Sequence, residues 1–432
     1  MNKVFFLILV SLFLSNCSMN ENSRIWNKKD NNTTENKNIK IIQFKDKKDQ
    51  KELNVDLNLD LDISKSDINF SNYTNNFGSL GYSGKLNKIG NYKYSKFKDI
   101  DHLNFKPLFL NDGLIFFDNK GTIIRFDLNQ KIIWKKNHYN KIEKKMSPKL
   151  EFIFNGENLI IVDDLAKFYS INIDNGELIW SKSNDYPINS QIKTFDDKLF
   201  AVDYKNILRC FYLDDGSECW KLETEDSVTI SGSKHSIIII DSLVIFNNSV
   251  GDITAAELTS GTIVWQVPTQ SSSIMNSTYD LENSKLVSDG NSIYFSNNKN
   301  EFYSIDIKTG SINWINNLNS NLTPILLGKF IFTISDQGFL FVIEKKKGNI
   351  LRINDLYKDY KIKKRKDIKP IGFIIGQDNL YLSNSDGKII VVDLVSGTIK
   401  KTEKVSREKL SEPFIHNGNL FLIKNGSIIQ YN

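Results

Sequence analysis

The chain has 432 residues, 40% hydrophobic and 25% charged, which is enough apolar surface for a buried core and excludes a chain disordered throughout. Its 56 Lys+Arg against 51 Asp+Glu leave a net charge of +5, too mild for a protein that lives on phosphate backbones, so no nucleic-acid partner is expected. Four His and three well-separated Cys do not make a zinc spacing, and no metal or cofactor is expected.

Residues 1–16 begin with Lys3, continue as the apolar run Val4–Leu14 and exit through Ser15 and Asn16 to Cys17. A basic start, a short apolar stretch and a small-residue exit read as a secretory signal peptide, too short to span a membrane as a mature helix. Residues 14–17 resemble a bacterial lipobox, with Asn16 where Gly, Ala or Ser is usual. That resemblance implies a diacylated Cys17 at the mature N-terminus. Ser18, in place of Asp, implies sorting to the outer membrane, where the lipid holds the protein on the periplasmic face. The alternative is a non-lipidated signal followed by a chance Cys.

Residues 17–67 are expected to be a flexible tether, because the Asn-, Lys- and Asp-rich stretch 18–52 has too little to bury against chain entropy. Within it, Val55, Leu57, Leu59, Leu61 and Ile63 alternate with polar residues at a strand period. Two readings are open: an extra strand or lid on the globular body, or a strand offered to a partner's sheet edge.

From residue 68 onwards a repeat dominates. Phrases 121–134, 166–180, 206–220, 251–265 and 300–314 end in Trp134, Trp180, Trp220, Trp265 and Trp314. Phrases 338–352 and 387–401 keep the frame but end in Arg352 and Lys401, and an eighth begins at Gly426. The phrase ends are spaced by 46, 40, 45, 49, 38 and 49 residues. A period in the forties carrying only strand signals predicts propeller blades. The second blade reads as strands at 150–154, 158–162, 168–173 and 178–182, with turns at Asn155-Gly156 and Asp174-Asn175-Gly176. The repeated Trp is expected to pack between blades as structural cement.

The fold class is therefore all-β, an eight-bladed propeller of four-stranded antiparallel blades over 68–432. The eighth blade has only three strands of its own: 413–415, 419–423 and 426–431. An unpaired edge would strand backbone donors and acceptors, so a strand from the N-terminal side, with 91–97 as candidate, is expected to complete it.

The phrase G-x-I/L-x-x-x-D/N-x-x-T/D-G-x-I-x-W resembles the repeat of the pyrroloquinoline-quinone-dehydrogenase-like propellers, from about residue 86 to 432. Two groups share it: quinoprotein dehydrogenases, and the BamB lipoproteins of the outer-membrane β-barrel assembly machinery. The lipobox, the tether and eight blades with few insertions resemble BamB, as does the entry segment 69–76, with Phe70 where a Trp is common. The dehydrogenases hold the quinone with a vicinal Cys pair, a stacking Trp and calcium, and use an Asp base. Here no two Cys are adjacent, five Trp are committed to the repeat and Trp26 lies in the tether. The acid pairs Asp163-Asp164 and Asp196-Asp197 fall at strand or turn ends and read as solvated surface. No catalysis is expected.

The BamB resemblance implies a scaffold that docks on the POTRA domains of the barrel-insertion subunit and supports nascent barrel proteins. The family's docking run corresponds to Ser227–Gly232, where Val228, Ile230 and Gly232 keep the pattern and Ser231 replaces an Arg. Asp280, in the next inter-blade loop, is the acidic neighbour. Val228 and Ile230 equally fit the first strand of the fourth blade. A quinoprotein-like or degenerate oxidoreductase and a propeller binding an envelope ligand remain the alternatives, since loops on a rigid ring serve either use. Finally, Cys210 and Cys219 are centred on the 213–216 turn and are expected to face each other across a hairpin, where a disulfide can form unless a bulge shifts the register.

Overall fold

Each repeat concentrates Ile, Leu, Val and Phe in its second and third strands, and such segments need cover on both faces. In the computed structural model, which describes residues 40–42, 52–53, 82–98, 105–226, 234–269 and 281–432, eight four-stranded antiparallel meanders provide that cover for one another. Strand order within each blade follows the chain, and the innermost strands of neighbouring blades touch, as between 108–110 and 150–154. The middle strands, such as Gly113–Phe117 and Asn158–Asp163, are buried almost along their whole length. The outer strands, such as Leu178–Ser183, are mostly exposed.

The second blade runs 150–154, 158–163, 167–172 and 178–183, within a residue of the sequence reading. The eighth is closed from the N-terminal side, as Lys88–Lys93 pairs antiparallel with Ser427–Tyr431. The closing strand thus begins three residues before the expected 91–97 and ends at Lys93. Tyr94 and Phe97 instead turn into the first-blade core, where Tyr94 lies 5.0 Å from Phe116 and Phe97 5.5 Å from Phe117. The strand therefore lies N-terminal to Tyr94 and Phe97, which form a packed corner.

One turn recurs for a local reason. Between second and third strands, Asp118, Asp163, Asp203, Asn248 and Asn297 each accept backbone N–H groups two and four residues ahead. This is the side-chain-to-backbone bonding for which Asp and Asn suit turns. Asp163 is therefore a correction: it is buried, and its second carboxylate oxygen accepts the Tyr139 hydroxyl at 2.7 Å. Asp196 and Asp197 are exposed.

Every outer strand carries a one-residue bulge immediately before the Trp position. The bulge re-aims the next side chain inward. Each Trp then donates its indole N–H, at 2.7–3.2 Å, to a carbonyl at the end of the next blade's third strand: Ile173, Leu213, Leu258, Ile307 and Lys345 in turn. The ring face lies on the turn glycine of that next blade. A Cβ added at Gly310, for example, would fall 2.8 Å from Trp265. In the sixth blade Arg352 makes the same link to Leu394 and Val395, and in the seventh Lys401 reaches the Lys85 carbonyl at 3.2 Å.

The closure joint swaps the sizes of the two partners. Gly90 holds the Trp position of the eighth blade, and Gln130, at φ +65°, holds the glycine position of the first. The Gln130 side chain fills the space and accepts the Asn91 N–H at 3.0 Å.

Cys210 and Cys219 form a disulfide with Cα atoms 5.2 Å apart. The direct register expected for them is not present: Cys210 pairs with Trp220, and Cys219 is the bulge residue. The bulge that was expected to prevent bridging lies within the bridge itself. Part of the expected tether is also paired. Lys40–Ile42 runs parallel to Trp314–Asn316 on the outer edge of the fifth blade, and Leu53 bridges Ile353 on the sixth. The alternating segment 55–63 lies outside the described residues.

Candidate functional site

A four-stranded meander puts its second-to-third turns and its inter-blade linkers on one face of the ring. On this face lie the linkers 137–149 and 184–192, followed in chain order by the linker entering the fourth blade, of which 227–233 lie outside the described residues. The first holds a short 3-10 turn, Glu143–Lys145. Asn140 caps it by accepting the N–H groups of Ile142 and Glu143, while Glu143 accepts the Asn140 N–H at 2.7 Å. This reciprocal pair fixes the backbone as a capping box does. It leaves Ile142 and Met146 72% and 61% exposed on an ordered turn.

In the next linker Tyr186 is exposed, and the Lys205 ammonium lies 5.8 Å from its ring centroid. Lys205 also pairs with Asp226 at 2.9 Å, and the Asp226 carboxylate holds its ammonium above the ordinary lysine range. Asp226 is the last described residue before the third linker crosses to Lys234. Ordered, exposed apolar side chains ringed by charge are what a protein-docking surface presents.

Of the residues singled out in the sequence, Val228, Ile230, Gly232, Asp280 and Cys17 lie outside the described residues. Their neighbours are placed. Glu282, two residues after Asp280, accepts from Asn321 at 2.7 Å, and its own N–H donates to Asn298. The five Trp sit between blades. Ile142, Met146 and Tyr186 were missed because their only sequence signal is an apolar residue in a polar linker. Tyr139 and Ile188, in the same two linkers, carry that signal too and are buried.

The family model described as the outer membrane protein assembly factor BamB matches residues 119–354. An uncharacterized protein of Rickettsia prowazekii is 20% identical over 318 residues, 69% of this chain and 72% of its own length. The outer membrane protein assembly factor BamB of Shewanella oneidensis is 24% identical over 176 residues, 40% of each chain. Among solved structures, BamB from Moraxella catarrhalis superposes with a TM-score of 0.64 at 14% identity, covering 80% of this chain and 99% of that one. The quinohemoprotein alcohol dehydrogenase ADHIIG of Pseudomonas putida superposes at 0.57 with 10% identity, covering 81% and 76%. At such identities the superpositions speak for the fold alone. The family match, spanning more than half of the chain and blades one to six of an eight-bladed ring, places this protein in the BamB family of outer membrane protein assembly factors.

Proposed function

We propose that this protein is a non-catalytic scaffold of the outer-membrane β-barrel assembly machinery, docking on the POTRA domains of the insertion subunit and supporting the folding and insertion of barrel proteins. In this reading residues 1–16 are a lipoprotein signal, a lipid on Cys17 anchors the chain to the periplasmic face of the outer membrane, and 17–67 tether the propeller. The family match supports the role. The observation that supports a docking mode is the exposure of the apolar linker side chains Ile142, Met146 and Tyr186, on the linkers entering the second and third blades; Val228 and Ile230 belong to the linker entering the fourth. The five described tryptophans, one of which a quinoprotein would need for stacking on the quinone, are here spent on blade-to-blade contacts.

The test is pull-down of the insertion subunit by the wild type, Ile230→Asp and Ile142→Asp, with circular dichroism as folding control. A carboxylate in a desolvated anchor position costs roughly 2–4 kcal/mol by analogy with interface hot spots, about 30- to 1000-fold in affinity. Undiminished capture by both folded variants refutes the assigned surface. In the same preparations Cys17→Ser is expected to move the protein from the membrane to the soluble fraction. Dye-linked alcohol oxidation with added quinone and calcium would replace the scaffold reading with an enzymatic one.

A further inference from the structure

Six charged side chains from six blades meet at the centre of the ring. Lys106, Lys234, Lys285 and Glu412 stand just before the innermost strands of the first, fourth, fifth and eighth blades. Lys193 and Glu151 lie on those of the third and second. The Lys285 and Lys106 ammonium groups sit 3.1 and 3.6 Å from the same Oε1 of Glu412. Lys234 pairs with Glu151 and lies 4.4 Å from the ring centroid of Phe105 in the first blade. Blades five and eight, two and four, and one and four are not neighbours. In an eight-membered ring such contacts are made only across the axis.

Among the described residues the charges there do not balance. Four ammonium groups face two carboxylates, with Asp164 of the second blade a further acid within reach of Lys234. Burial and the neighbouring Lys285 push Lys106 down to about 7 against the pull of Glu412. Burial and Lys285 push Lys193 down to about 8 against Glu151. Burial alone would raise Glu412, but Lys285 and Lys106 hold its carboxyl at about 2. Yet the space is not filled: the side chains of Lys106, Lys285 and Glu412 keep 25, 27 and 23% of their surface accessible. Crowded like charges beside open room are stabilised by an arriving counter-charge, and weak screening inside a protein strengthens the attraction.

We propose that Lys106, Lys193 and Lys285 form an axial binding site for a small, multiply charged oxyanion, a phosphate or a dicarboxylate, with Glu412 as the internal carboxylate that the ligand partly displaces. This site lies on the axis at the linker end of the ring, and anion binding there does not require docking on a partner.

The experiment titrates the full chain with inorganic phosphate and, separately, succinate, against sodium chloride at matched ionic strength, followed by thermal unfolding and calorimetry. A ligand that binds only the folded state raises its melting temperature. Phosphate or succinate is expected to do so where chloride does not. Binding near neutral pH is expected to take up protons, seen as a heat that varies with the ionisation enthalpy of the buffer. Lys193→Met is expected to weaken binding at least tenfold, and Glu412→Gln to tighten it. If Lys193→Met does not fold, the sign of the Glu412→Gln effect decides. No response to either anion beyond that to chloride overturns the proposal, as does undiminished binding by folded Lys193→Met or weaker binding by Glu412→Gln.

Discussion

The blade-to-blade joint makes a quantitative prediction at Trp314. This side chain is 2% exposed, donates to the Lys345 carbonyl at 2.8 Å and stacks on Phe302 with centroids 5.8 Å apart. Truncating a buried aromatic to Ala costs about 3–5 kcal/mol. Leaving the Lys345 carbonyl without its donor adds about 1–3 kcal/mol where water does not replace it. The sum is comparable to the roughly 5–15 kcal/mol that holds a whole domain folded, so Trp314→Ala is expected to be barely folded at 25 °C. Trp314→Phe keeps most of the ring burial and loses the donor, and is expected to cost about 1–3 kcal/mol. Trp180 occupies the same position in a half-exposed setting, and Trp180→Ala is expected to cost clearly less than Trp314→Ala. Urea unfolding followed by far-ultraviolet circular dichroism ranks the three variants. If Trp314→Ala loses no more stability than Trp180→Ala, burial at the joint is not what holds the blades. If Phe is as harmful as Ala, the hydrogen bond outweighs packing at the joint.

Two further outcomes follow from particular residues. Burial raises the Asp163 carboxyl from 3.8 to about 6, despite the Tyr139 hydroxyl and the backbone N–H groups that favour its charge. With the folded value above the unfolded one, its contribution to stability is complete below about pH 4 and is lost as pH rises through 6. Asp163→Asn, the residue found at the equivalent Asn248 and Asn297, is expected to remain folded and to remove that dependence. The difference in melting temperature between wild type and variant, measured from pH 4 to 7, isolates it from the buried His235, and a constant difference would refute the assignment. Deletion of 18–39 is expected to leave thermal stability unchanged, whereas deletion through Lys93 removes the edge strand paired with Ser427–Tyr431 and is expected to abolish cooperative unfolding. A cooperative melt in the longer deletion would show that the ring closes without it.

The eight blades were legible because each carries its own instructions. Strand alternation, an Asx turn, a glycine turn and a terminal Trp are local features that recur about every 45 residues, and such features are settled within one meander. The bulge before each Trp was not legible, although the phrase contains it, because no residue type marks a position that the ladder skips. For this reason the disulfide was expected between facing residues and is found with Cys219 on the bulge. Asp163 was read as surface because an Asp at a turn is usually solvated; here Tyr139, from the preceding linker, covers it.

The sequence by itself determined the all-β class, the number of blades and the need for an N-terminal strand, since these follow from local periodicity and from an edge that has to be paired. Tertiary structure alone decided which linker side chains stay exposed and which charges meet. Ile142 and Tyr139 are both apolar residues of one linker, separated in fate by what the neighbouring blade covers. Lys106, Lys193, Lys285 and Glu412 are far apart along the chain and carry no common motif. They become neighbours because eight innermost strands converge on one axis, where side chains from opposite sides of the ring reach each other.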